Sequence, residues 1–129
     1  METTGKRVLL VEDDRFLRRA CEASLRQRGL TVATGADGEG GLRLARSERP
    51  DIVLLDMLMP KLSGLEVLRA LRGDEATRGL PVLILSNSSR EQDIAEVNRL
   101  GVSGYFVKSN LSLQELGDLV GRVLDGQSA

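Results

Sequence analysis

Five short runs rich in valine, isoleucine and leucine recur along the chain, at residues 7–12, 30–34, 51–56, 81–86 and 103–107. Each is followed by a longer segment whose apolar positions recur at helical spacing, which predicts five strand and helix units in alternation. The runs Ile52 to Leu55 and Pro81 to Leu85 are apolar at successive positions instead of alternating with polar ones. A strand with one face in water would alternate. Unbroken apolar strands are covered on both faces, so the pattern predicts a parallel sheet with helices on either side, a doubly wound α/β fold.

Local signals place the helix ends. Ser63-Gly64-Leu65-Glu66 and Ser112-Leu113-Gln114-Glu115 both fit a capping box, with Leu62 and Val67, and Leu111 and Leu116, spaced as hydrophobic staples. Asp37 is suited to cap the second helix and Ser88 or Ser89 the fourth. Gly29, Gly101 and Gly126 follow helical stretches where a left-handed residue is wanted, and Pro50 and Pro81 lead into strands. The segment "GADGEGGL" has neither the dinucleotide fingerprint nor the P-loop lysine, and reads as a loop and helix start.

Length and composition narrow the classes. A chain of 129 residues fits one domain, with a core of about 6–126 and no room expected for an output domain after the last helix. The net charge of -1 provides no global field for nucleic acid or acidic membranes, and the arginines at 15, 18, 19, 26 and 28 read as a solvated helix flank. Neither a signal-peptide core nor a run long enough to span a membrane is present, so a cytoplasmic protein is expected. Cys21 shares a helical face with Leu17, Ala20 and Leu25 and reads as a packed thiol. With no histidine in the chain, imidazole catalysis and histidine-ligated metals are excluded, which leaves carboxylates, hydroxyls and lysine.

In an open parallel sheet the ligand site lies beyond the carboxyl ends of the strands. The first run ends on Glu12-Asp13-Asp14, the third on Asp56, the fourth on Ser86, and the fifth is followed at once by Lys108. Taken singly, each has an ordinary explanation as a helix N-terminal charge or a turn residue. Together they share one rim. Two carboxylates about 4 Å apart repel by on the order of 4 kcal/mol at an effective dielectric near 20, so gathering Glu12, Asp13 and Asp56 calls for a cation. Magnesium suits an all-oxygen set of this kind. Lys108, one of only three lysines, adds a mobile point charge able to meet a carboxylate or a phosphoryl group. Asp14 is better placed as a favourable charge at the start of the first helix.

These residues resemble the receiver domain of bacterial two-component response regulators over nearly the whole chain. The most specific stretch is "DMLMPKLSG", Asp56 to Gly64, and "LLVEDD", "LILS" and "YFVK" stand at the matching intervals. The resemblance implies a five-stranded, flavodoxin-like (βα)5 sheet of order 2-1-3-4-5. It implies that Asp56 accepts a phosphoryl group from a histidine kinase, a phosphotransfer protein or a small donor such as acetyl phosphate. Glu12, Asp13 and the backbone carbonyl of Leu58 match the family's magnesium ligands alongside Asp56, and Ser86 and Lys108 match the residues that bind the phosphoryl oxygens. Tyr105 stands where the family keeps its switch aromatic, which with Ser86 would bias a surface of helix four, strand five and helix five toward a downstream protein target. The implied protein is a monomer or weak dimer that signals by binding other proteins, without inserting in a membrane or contacting nucleic acid.

Three departures from the family pattern stand out. Ser109 follows the lysine where proline is usual, and Asn87 replaces a small residue after the hydroxyl position. Leu58 and Ser88 lack the acid or amide that could orient a hydrolytic water, so slow self-dephosphorylation is expected. An aspartyl-nucleophile phosphatase would want a second acid where Leu58 stands, and a flavin carrier would want a hydroxyl-rich loop where the acids are. The alternative that Ser109 and Asn87 keep open is a receiver-like scaffold that binds partners without being phosphorylated.

Overall fold

Side-chain parity along the three central strands explains the architecture. Val8, Leu10, Ile52, Leu54, Leu83 and Leu85 join one buried apolar cluster, while Leu9, Val11, Val53, Leu55, Val82 and Ile84 join a second on the opposite face. Every residue in these runs is therefore inside, which is why they do not alternate in polarity. The computed structural model describes residues 5–59, 62–86, 91–108 and 112–126, with the backbone alone described at 86, 91–93 and 106.

The chain runs β1 (Arg7–Val11), α1 (Arg15–Gln27), β2 (Thr31–Gly35), α2 (Gly38–Ser47), β3 (Ile52–Asp56), α3 (Gly64–Gly73), β4 (Val82–Ser86), α4 (Glu91–Leu100), β5 (Gly104–Val107) and α5 (Leu113–Leu124). All neighbouring strands are parallel, in the order β2-β1-β3-β4-β5. The doubly wound α/β fold expected from the apolar pattern, and the strand order implied by the family resemblance, are what the structure shows.

Several expected strand ends shift by one residue. The residues at 51, 81 and 103 lie outside the ladders but still bond to them: Asp51 N–H donates to Arg7 O at 2.8 Å, Pro81 O accepts from Val53 N–H at 2.9 Å, and Ser103 N–H donates to Val82 O at 2.8 Å. At the other end Glu12 leaves β1, although its N–H still donates to Gly35 O at 3.0 Å.

Helices α1 and α5 cover the first cluster, through Cys21 and Leu25 on α1 and Leu116, Val120 and Val123 on α5. Cys21 is buried as expected, and burial pushes its thiol up to about 11, with the nearby Glu12 charge adding to the effect, so it is a poor nucleophile. The second cluster is covered by α2, α3 and α4 through Ala45, Val67, Leu68, Leu71 and Val97. The glycine-rich stretch serves close packing here. A Cβ on Gly38 would lie 2.1 Å from Leu62 O, and one on Gly41 would lie 2.6 Å from a Val11 methyl, so only glycine lets α2 approach this closely.

The capping predictions divide. Ser63 forms the full reciprocal box with Glu66. Ser112 accepts from Glu115 N–H at 3.1 Å, but the Glu115 carboxylate turns to the Ser112 hydroxyl at 3.2 Å instead of to its backbone. Asp37 caps α2 through Gly40 N–H at 2.7 Å, and Gly29, Gly101 and Gly126 all take positive φ. The expected cap at Ser88 or Ser89 and the staple residue Leu111 lie outside the described residues. Arg49 also has a positive φ, of 48°, which no local signal announces.

The arginine flank of α1 is exposed at 15, 19, 26 and 28, as expected, and half-buried at 18, but several of its members also make specific bonds. Arg26 donates to Val32 O at 2.7 Å and pairs with Glu22, and Arg28 reaches across to Gln114 O at 3.1 Å and Asp118 at 3.0 Å. Arg18 donates to the carbonyl of Glu12. Three of the five are tied into the fold because arginine's long stem and several donors let it cap distant carbonyls while its head stays partly in water.

Candidate functional site

Strands β1 and β3 lie side by side, and the register Val11↔Leu55 brings the residues that follow, Glu12 and Asp56, to one rim. Asp56 shares the parity of Ile52 and Leu54, so its carboxylate faces the α1 and α5 side of the sheet. Both acids are buried, Glu12 with 1% and Asp56 with 3% of its surface exposed, while Asp13 is exposed. One carboxylate oxygen from each of Glu12, Asp13 and Asp56 can be chosen so that all lie within 4.8 Å of one another, and this is the one such acidic group among the described residues.

Lys108, just past β5, extends into the same pocket. Its Nζ lies 2.6 Å from Glu12 Oε1 and 3.3 Å from Asp56 Oδ1. Burial works against the Lys108 charge, but the close negative charges of Glu12 and then Asp56 outweigh it and raise its pKa. Asp56 moves the other way from a normal acid. Burial, reinforced by the Glu12 charge, pushes it from the ordinary 3.8 up to about 7 despite Lys108. Glu12 Oε1 is buried and, although close to Lys108, makes no hydrogen bond of good angle.

The loop around these acids is held by short contacts. Glu12 Oε2 accepts from Asp14 N–H at 3.1 Å, and Asp14 Oδ1 accepts from Leu17 N–H at 3.1 Å. Asp14 is thus the N-cap of α1 and does not join the carboxylate cluster, the division its position suggested. Across the pocket, Leu58 N–H donates to Asp56 Oδ1 at 3.3 Å. Gly64 N–H donates to Met57 O at 3.0 Å, and a Cβ at Gly64 would come within 2.3 Å of Asp56 O, so the final glycine of "DMLMPKLSG" seats α3 directly against the backbone of the acid.

The remaining expected residues are placed less completely. Ser86 ends β4 opposite Val107, but its side chain, with Asn87, Ser88 and Ser109, lies outside what is described. Tyr105 pairs in register with Ile84 and packs against the second cluster, on the α3 and α4 side. One contact at the pocket had no sequence signal: Arg18 Nη1 donates to Glu12 O at 2.8 Å and to Asp13 O at 3.4 Å. A side chain bonded to backbone oxygens five and six residues earlier leaves no periodic trace.

Comparison with known proteins supplies the family to which this chain belongs. The family model of the response regulator receiver domain matches residues 8–120. The chain belongs to the response regulator receiver family. It is 38% identical over 120 residues to the transcriptional regulatory protein AfsQ1 of Streptomyces coelicolor, covering 93% of this chain and 48% of that protein. It is 39% identical over 120 residues to PrrA of Mycobacterium tuberculosis, a transcriptional regulatory protein, covering 93% of this chain and 49% of that one. The chain therefore spans about half the length of these relatives. Among solved structures, the Vibrio cholerae chemotaxis protein CheY4 superposes with a TM-score of 0.85 at 28% identity, covering 93% of this chain and 99% of that one. The receiver is thus a CheY-like signalling domain of the two-component type and not a conventional enzyme. Among the described residues, no helix is long and apolar enough to cross a membrane.

The acidic cluster fits a magnesium ion on the receiver's own geometry. The donors are all oxygens, their like charges repel one another, and Glu12 Oε1 is a buried acceptor that lacks a well-angled hydrogen bond.

Proposed function

We propose that the receiver takes a phosphoryl group onto Asp56 in a magnesium-dependent reaction and so switches a surface that binds other proteins. The observation that carries this reading is a buried carboxylate flanked by two further acids and by an ammonium 3.3 Å from its Oδ1. In the transfer, an Asp56 oxygen attacks phosphorus in line. A new O–P bond forms as the bond to the donor's histidine nitrogen, or to the acetate oxygen of acetyl phosphate, breaks and its electron pair leaves with the donor. Magnesium, when held by Glu12, Asp13, Asp56 and the Leu58 carbonyl, supplies positive charge to the phosphoryl oxygens. Lys108 contributes a second cation by turning from the carboxylates to an incoming oxygen, and Ser86 a hydroxyl.

The partners on this reading are a histidine kinase or phosphotransfer protein upstream and a protein target downstream, in the cytoplasm. The 129 residues act as one receiver domain. Tyr105, packed on the α4 side, and Ser86, on the adjacent strand, would report the phosphoryl group to the surface of α4, β5 and α5.

Intact-mass measurement after incubation with acetyl phosphate tests the reading. A gain of one phosphoryl group is expected with magnesium, and none with a chelator or in Asp13→Ala. No gain in the wild type, with partner binding intact, would replace the reading by the phosphorylation-independent scaffold.

The lifetime of the product follows from Leu58, whose side chain is 61% exposed beside Asp56 and has no group to orient water. Replacing it by asparagine is expected to speed loss of the phosphoryl label roughly tenfold by supplying a hydrogen-bonding side chain near the attack path. Fast loss from the wild type, unchanged in Leu58→Asn, would show that this side chain does not set the rate.

A further inference from the structure

We infer that Arg18 is a positioning residue of the acidic pocket, holding the Glu12 and Asp13 backbone so that their carboxylates can meet a divalent cation. The inference rests on the reading of the pocket as a magnesium site.

Residues 12 and 13 lie between the end of β1 and the Asp14 cap, where strand and helix ladders leave their carbonyls without partners. Arg18, one turn into α1, supplies one: its Nη1 donates to Glu12 O at 2.8 Å and lies 3.4 Å from Asp13 O. Two other bonds fix the same segment, from Asp14 N–H to Glu12 Oε2 and from Leu17 N–H to Asp14 Oδ1. The segment is thus pinned to the helix from both sides.

A pin is needed here because the side chains of this segment repel one another and Asp56. Without it, the short connection can relieve that repulsion by moving Asp13 outward, and the acids would have to be gathered again each time a cation binds. A planar guanidinium with several donors is suited to bridging two successive carbonyls. Both of its acceptors are backbone oxygens, so Arg18 acts on where the carboxylates are.

This role and the charge of Arg18 pull in opposite directions. Arg18 is a cation beside a cation site, and on charge alone its removal strengthens magnesium binding. If it positions the loop, its removal weakens binding. Magnesium affinity therefore separates the two by sign.

Calorimetric titration of magnesium chloride into metal-free protein at pH 8 is the test, with melting curves in chelator to show that each variant is folded. Arg18→Ala and Arg18→Gln are expected to bind magnesium about tenfold more weakly than wild type, the scale of losses seen when groups supporting metal ligands are removed. Arg18→Lys, which keeps the charge and one donor head, should fall between. Arg15→Ala removes a like charge from the same helix start and should leave affinity unchanged or slightly higher. Wild-type affinity or tighter binding in Arg18→Ala and Arg18→Gln overturns the inference while leaving the metal site intact. Absence of magnesium binding in the wild type, or wild-type binding in Asp13→Ala, overturns the metal site and this inference with it. Should both neutral variants fail to fold, the lysine variant decides: wild-type affinity there overturns the inference and weakened affinity supports it.

Discussion

Asp56→Asn is expected to abolish phosphoryl uptake and, in the same protein, to raise the stability of the metal-free fold above neutral pH. Loss of uptake follows because the amide offers no anionic oxygen to phosphorus. The gain in stability follows from linkage. The Asp56 carboxyl is pushed from 3.8 up to about 7, chiefly by burial and then by the Glu12 charge. An acid whose folded pKa is raised binds its proton more tightly in the native state than in the unfolded chain. Stability is then lost progressively as pH rises from about 4 to about 7, and the full penalty persists above that window. A rise of that size sets a ceiling of about 4 kcal/mol at 1.36 kcal/mol per pH unit. Because the Lys108 ammonium 3.3 Å away offsets part of this penalty, about 2 kcal/mol is the expected gain for Asp56→Asn at pH 8 in chelator, a melting point higher by roughly 6 °C. At pH 4 the two proteins should melt together. Denaturation followed by circular dichroism across this range is the check. A variant no more stable than wild type at pH 8 would mean that the buried acids do not strain the apo fold, and detectable uptake by the variant would move the acceptor to another residue.

The same tension explains which features could be read from the residues and which could not. Strands β1, β3 and β4 were legible because both faces of each are buried, so their sequences carry no competing requirement. Asp56, Glu12, Asp13 and Lys108 were legible because charged residues at the ends of such strands contradict the burial around them. Arg18 was not, since its contact is with backbone oxygens, which every residue carries and no side-chain pattern marks. The Glu115 carboxylate at the start of α5 departs from the expected box for a related reason. The spacing Ser-x-x-Glu permits a reciprocal box, but whether the acid turns to the backbone or to the hydroxyl depends on the path of the chain entering the helix. Ser63 and Glu66 do close the box, with Leu62 and Val67 both in the second apolar cluster to fix that entry.

Lys108→Met should produce the opposite stability change to Asp56→Asn. The lysine side chain is only 12% exposed and pairs with Glu12 at 2.6 Å, so its loss leaves a buried carboxylate without a counterion. Breaking a buried pair by removing one partner costs about 3–5 kcal/mol. Proton uptake by Asp56, whose carboxyl is already pushed up to about 7, offsets part of this, so a loss of about 2–4 kcal/mol is expected at pH 8 in chelator. The folded pKa of Lys108 is raised, which means its contribution is fully present below the ordinary lysine value near 10.4 and is lost only at higher pH. The pH dependence of the variant in the neutral range must then come from Asp56, whose carboxyl is raised to about 7. Its deficit should shrink on going from pH 8 to pH 5, as the Asp56 carboxyl takes up a proton. It should also shrink on adding magnesium, which competes with the ammonium for the same Glu12 and Asp56 oxygens and so should bind the variant more tightly than wild type. Urea denaturation at the two pH values, with and without magnesium, reads all three effects. Equal stability of variant and wild type at pH 8 in chelator would show that the ammonium is not what makes the buried Glu12 tolerable. A deficit that magnesium leaves untouched would show that lysine and metal do not share these oxygens. The restraint on the apo pocket would then be separate from the chemistry proposed for it.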